Sequence, residues 1–174
     1  MQLPIALILP YPPSDNKRYY AFSKRLTEET RNYRNVDAFA LWMEGRTTGL
    51  ETITERVRPV VYPYPCNRRR DATNCLKELW DSLQAVKVLK NDNLIDGPIM
   101  GIRVIHPSDA VFVEFYPVDK EPYVVEKKPL EQRIFDAQMH KDFTGKVFAS
   151  KYVLEAIQRK EKITEFRTVY SNID

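Results

Sequence analysis

The chain contains no run of about 18 apolar residues, so no segment reads as a membrane-spanning helix. Its first ten residues are apolar but carry neither a basic leader nor a small-residue cleavage site, which argues against a secretory signal. Cysteine is scarce: Cys66 and Cys75 lie nine residues apart, which suits neither a redox pair nor half of a zinc ribbon, and no third cysteine completes a site. The two histidines, His106 and His140, are too isolated to be argued as a metal pair. There is also little excess charge of one sign. Against 24 acidic side chains stand 27 basic ones, a net +3, so bulk charge alone does not mark a polyanion partner. With no internal repeat either, the expectation is a soluble protein in a reduced, cytoplasmic setting.

What is present fits one domain with an appendage. At 174 residues and 43% hydrophobic content the chain can bury one real core, and a second full domain would need more length. Residues 3–9 are a short apolar run that stops at Pro10, Pro12 and Pro13, the pattern of a buried strand entering a stiff loop. Residues 23–43 favour helix, with Tyr33, Val36, Phe39, Ala40 and Met43 as an apolar stripe at spacings of three and four, ended by Gly45 and Gly49. A β-branched and aromatic bias over 52–62 predicts a strand closed by Pro63 and Pro65. Residues 99–105 and 111–116 read as two more strands joined by a turn at Pro107, Ser108 and Asp109.

The clearest element covers 71–87. Leu76, Leu79, Trp80 and Leu83 share one helix face, while Asn74, Lys77 and Asp81 take the other. Trp80 is most simply core, and the apolar face as a whole suits either the chain's own core or a partner subunit. Beyond Pro117 the composition becomes a balanced mixture of charges, in which Leu130, Ile134 and Ala137 suggest one further helix and Phe148, Tyr152 and Ile157 another.

Basic residues gather at Lys17 and Arg18, at Lys24 and Arg25, and at Arg68, Arg69 and Arg70, with Lys77, Lys87 and Lys90 following. They form one phosphate-facing surface if the fold brings them together, and an ordinary solvated surface otherwise. Asp71 opens the amphipathic helix, Lys77 lies about two turns on, and Asp92 follows 21 residues after Asp71. Converging at one point, these groups suit magnesium, which takes one or two carboxylates plus waters and phosphate oxygens. Taken alone, Asp71 also reads as a helix cap favoured by the dipole.

The run from Arg68 through Asp71, Thr73 and Asn74 to Lys77 resembles the core motif of the RusA-like Holliday-junction resolvases (crossover junction endodeoxyribonucleases). That motif is an arginine-rich stretch followed by Asp-x-Asp-Asn-x-x-Lys, with a further Asp after the helix. Leu9 to Asn16, with Tyr19 and Tyr20, is similar to the family's N-terminal Pro-Pro-Ser-x-Asn loop with one extra residue. Asp81, Ser82 and Leu83, then Val88 to Asp92, resemble its helix end and following acidic loop. The resemblance covers about residues 3–117, and residues 119–174 have no counterpart in compact members.

The resemblance implies an α+β fold with a single mixed sheet of about four strands and two main helices, residues 1–118, followed by a mostly helical extension, 119–174. It implies a homodimer that resolves four-way DNA junctions or other branched DNA by Mg²⁺-dependent hydrolysis, with Mn²⁺ as a substitute. Asp71 and Asp92 match metal-ligand aspartates, Lys77 the catalytic lysine and Arg70 a basic residue needed at the site. Thr73 departs from the pattern, putting a neutral hydroxyl where a second aspartate stands, and Asn91 replaces an acidic residue. The site loses one negative charge for a hard cation, which weakens metal binding unless Asp81, Asp96 or Glu114 substitutes. Lys17, Arg18, Arg68, Arg69, Arg70 and Asn74 are the expected DNA contacts, and Tyr19 and Tyr20 are candidates for base stacking. The competing expectation is a binder of branched DNA that does not cut, or an adaptor whose extension meets a protein partner.

Overall fold

In the computed structural model, residues 2–17, 19, 23, 25–121, 126–139 and 146–163 are described. They form an α+β architecture with one mixed sheet in the order β3-β2-β4-β1-β5. β1 (Ile5–Pro10) and β2 (Val57–Tyr64) flank β4 (Ala110–Pro117), each antiparallel to it. β3 (Ile99–Met100) lies parallel to β2 at one edge, and β5 (Val147–Ala149) parallel to β1 at the other. The sheet therefore has five strands rather than the expected four, and the fifth comes from the segment read as a helical extension.

Both faces of this sheet are buried, which is why its strands read as continuous apolar runs rather than alternating ones. On one face Ile5, Leu7, Leu9, Val61, Val113 and Phe115 pack under α2 (Phe39–Thr47) and α3 (Leu76–Ala85). On the other, Ala6, Ile8, Val60, Tyr62, Phe112 and Tyr116 pack under α4 (Leu130–Met139) and α5 (Lys151–Arg159). The described part of 119–174 is thus the second wall of the same core. Leu79, Trp80 and Leu83 are buried within the chain, with Trp80 edge-on to Phe115, so α3 packs these side chains on its own sheet, while Leu76 is only partly covered.

Two elements differ from expectation for identifiable reasons. The first helical run is α1 (Glu28–Asn32), a π turn (Tyr33–Ala38) and α2. The π turn inserts a residue and rotates the stripe: Tyr33, Ala38 and Leu41 face the core, while Val36, Phe39 and Met43 are exposed. The strand expected over 99–105 keeps only Ile99–Met100 in the ladder. Amides of Val104 and His106 still donate to the carbonyls of Pro63 and Pro65, but those prolines have no N–H to return.

One buried acid lies on the second face. Glu114 accepts from the Tyr116 hydroxyl at 2.6 Å, and burial pushes its carboxyl upward. The folded state therefore holds this proton more tightly than the unfolded chain. Its stabilising contribution is complete below the unfolded value and is lost as pH rises through the folded one. Glu114→Gln should flatten the stability curve above the ordinary glutamate range, which parallel thermal melts from about pH 4 to 8 would show.

Candidate nucleic-acid interface

β1 ends at Pro10 and β2 at Tyr64, next to the start of β4, so the two loops with the family-like motifs leave the same end of the sheet. Between them opens a cleft of about 450 Å³. Ser14 and Asn16 line it from the first loop, Asn67, Arg69, Asp71 and Asn74 from the second, and Glu29 from α1.

Contacts distant in sequence hold these walls together. The Asp15 carboxylate accepts from the Glu78 amide at 3.1 Å and its own amide donates to the Asn74 carbonyl, so the first loop caps α3. Tyr11 donates its hydroxyl to the Asp71 carbonyl, and the Arg70 guanidinium lies over the Tyr11 ring. Beneath sits Asp109, fully buried in a left-handed conformation at φ 57°. One of its oxygens accepts from the Cys66 amide at 2.9 Å and the other from Arg70 at 2.7 Å. Arg103 donates to the carbonyls of Arg68 and Arg70, completing the loop's scaffold. On the far side of α3, Arg34 grips the buried Glu78 with two hydrogen bonds, and Ser82 donates to the same carboxylate.

Asp71 is exposed at the mouth of the cleft. One oxygen accepts from both the Thr73 amide and the Thr73 hydroxyl at 2.9 Å, and the other from the Asn74 side chain at 2.9 Å. The Thr73 amide, the Thr73 hydroxyl and the positive charge of Arg103 hold its carboxyl below the usual range. This is a turn closed by its own side chain, and it delays α3 to Leu76 instead of the expected residue 71.

Asp92 lies at the other end of α3. Its amide donates to the Gln84 side chain, near the helix C-terminus. The chain then runs beside β2, with Asp96 bonded to Val57 and Val104 to Pro63 before Arg103 meets the Asp71 loop. The stretch from Val57 to Pro63 alone covers roughly 20 Å of strand. Two carboxylates sharing Mg²⁺ bring their oxygens within about 4 Å. Within one chain, Thr73 lies against Asp71 but Asp92 is not brought to them, because all of α3 stands between, so the three do not form the shared metal site expected. Among the described residues no three His, Cys, Asp or Glu side chains gather as metal ligands. Of the proposed substitutes, Asp81 faces Arg34 and Lys77, Asp96 lies at the Asp92 end, and Glu114 is buried beneath α4. The carboxylate that the fold does bring to Asp71's cleft is Glu29, for which no sequence pattern gave a signal.

The remaining assigned residues divide as follows. Lys77 is exposed on α3 and pairs with Asp81 at 3.6 Å instead of lining the cleft. Arg69 and Arg70 both line the cleft, Arg70 while paired with Asp109, and Arg68 is exposed but is not one of the lining residues. Arg18, Tyr20 and Lys24, the side chain of Lys17 and His140 lie outside the described residues. Tyr19 is half-exposed and bridges to Leu26.

Two further arrangements bear on chemistry. Burial pushes the Cys75 thiol up to about 12, which leaves it protonated and unsuited to nucleophilic work. Ser108, His106 and Glu131 form a hydrogen-bonded row, 2.6 Å from the serine hydroxyl to the ring and 2.7 Å from the ring to the carboxylate. Ser108 is fully buried, so no substrate reaches its hydroxyl, and the row pins a turn rather than building a hydrolase. No described helix is long and apolar enough to cross a membrane. No family model matches the chain, and no curated protein matches it.

Proposed function

We propose that this chain is a RusA-like protein that binds the phosphate backbone of branched DNA at the cleft below α3, as a homodimer presenting two such clefts to a four-way junction. The observation that carries this reading is the convergence of the two motif loops, far apart in sequence, on one polar cleft lined by Arg69 and Arg70, with the exposed Arg68 next along the chain. Exposed arginines beside Asn and Ser side chains suit phosphate oxygens, which position a protein on DNA without reading its sequence. The reading is of a binder first, because the acids assigned to a metal are not gathered by one chain.

Titration of a synthetic four-way junction against a matched duplex, in EDTA and then in Mg²⁺ or Mn²⁺, tests it. Junction binding in EDTA without cutting in metal is the expected result, and failure to bind any branched DNA would falsify the proposal. Replacing Arg68 and Arg69 together by Ala should weaken binding alike on all sequences. The slope of log affinity against log salt should shrink by roughly 0.9 per lost phosphate contact.

A second reading, metal-dependent endonuclease, is favoured by the exposed Asp71 sharing its cleft with Glu29. Nicking that appears only with metal, and that Glu29→Gln removes while junction binding persists, would put this reading first.

A further inference from the structure

The described part of 119–163 does more than cover the sheet, because it reaches the cleft through a single turn. Glu131, in the first turn of α4, bonds the His106 ring at 2.7 Å. The Ser108 amide donates to the other ring nitrogen, which is therefore the acceptor, so the nitrogen facing Glu131 carries the proton and donates. The Ser108 carbonyl accepts from Ile163, just beyond α5. The Asp109 amide donates to the His106 carbonyl, the Asp109 carbonyl accepts from Tyr11, and the Asp109 carboxylate holds Cys66 and Arg70. Ser108 and Asp109 are fully buried and His106 nearly so, whereas the Glu131 side chain is 47% exposed. Glu131 is thus the solvent-facing end of a continuous hydrogen-bonded path into the loop that carries Arg69 and Asp71.

We propose that Glu131 and His106 are positioning residues of the cleft, through which the second half of the chain sets the geometry of the loop from Cys66 to Asp71. Only the DNA readout below rests on the proposed function. Cys66 supplies an independent one: the residue is partly exposed and its amide is tied to Asp109, while Cys75 is buried and stays silent to thiol reagents. In the full chain, Glu131→Ala should raise the labelling rate of Cys66 roughly threefold to tenfold, the scale of one lost hydrogen bond. Glu131→Gln keeps an oxygen that accepts from the histidine, so it should label at the native rate. If Glu131→Ala does not fold, Glu131→Asp, one methylene shorter, serves as the disrupting variant.

Junction affinity in EDTA should fall by a similar factor in the disrupting variant with its salt slope unchanged, since no phosphate contact is removed. An unchanged labelling rate, or a Gln variant that labels as fast as the disrupting one, overturns the proposal. Faster labelling with unaltered junction affinity overturns the step from loop to cleft. If the native chain binds no branched DNA, the functional reading fails while the labelling result still decides the positioning role.

Discussion

Arg70→Ala is expected to lower the melting temperature by roughly 10 °C, the consequence of about 3 kcal/mol lost from a chain of this size. The cause lies under the side chain. Asp109 is fully buried, and its ion pair with Arg70 is what balances its charge. Removing the guanidinium leaves that carboxylate in a low-dielectric site with only the Cys66 amide for company. Asp109→Asn combined with Arg70→Met should recover much of the loss. Asparagine tolerates the left-handed backbone and still accepts from Cys66, and methionine keeps the contact with Tyr11. Thermal melts of the single and double variants form the cycle that measures the coupling. A native melting temperature for Arg70→Ala would show that the pair is not structural and would return Arg70 to the set of free phosphate contacts. Any loss of DNA binding in that variant needs this control, because loop collapse and a lost contact look alike in an affinity.

A chain ending at residue 118 should not fold. It would expose Ile8, Val60, Tyr62, Phe112 and Tyr116, which α4 and α5 otherwise cover, and it would lose the Arg133 guanidinium that lies 3.5 Å above the Tyr62 ring. At the usual value for burying large apolar side chains, those five account for on the order of 10 kcal/mol. Domains are stable by only about 5 to 15 kcal/mol in total, so the truncation removes most or all of the margin. Circular dichroism and limited proteolysis would check it. A cooperative melt for residues 1–118 would show that the second face does not depend on the later segment.

What the sequence revealed was governed by local pattern. Residues 3–9 and 111–116 were legible as strands because unbroken apolar runs are what two buried faces require. The spacing of Leu79, Trp80 and Leu83 placed α3's buried side, and the turn at Pro107 and Ser108 is where it was expected. The stripe through Val36, Phe39 and Met43 was misread because a π turn breaks the 3.6-residue period it assumed. The cleft was half legible: two motif loops pointed to it, but the spacing and the family-like motif that also pointed to Asp92 did not fix where that residue lies in the fold. Its true place follows from the parallel course of residues 95–104 beside β2, which spacing does not encode. Asp15, Glu78 and Asp109 look like ordinary surface acids in sequence, since each owes its role to a partner some 40 to 60 residues away.

The cap that Asp15 places on α3 ties the appearance of the binding surface to the order of assembly. In a helix beginning at Leu76, the Glu78 amide has no side-chain acceptor until the loop after β1 has arrived, and Asp15 gives up its bond to the Asn74 carbonyl unless the helix start is there. Chains halted before these two pieces meet would therefore display no cleft at all, and affinity for a polyanion would report on completed folding as well as on charge.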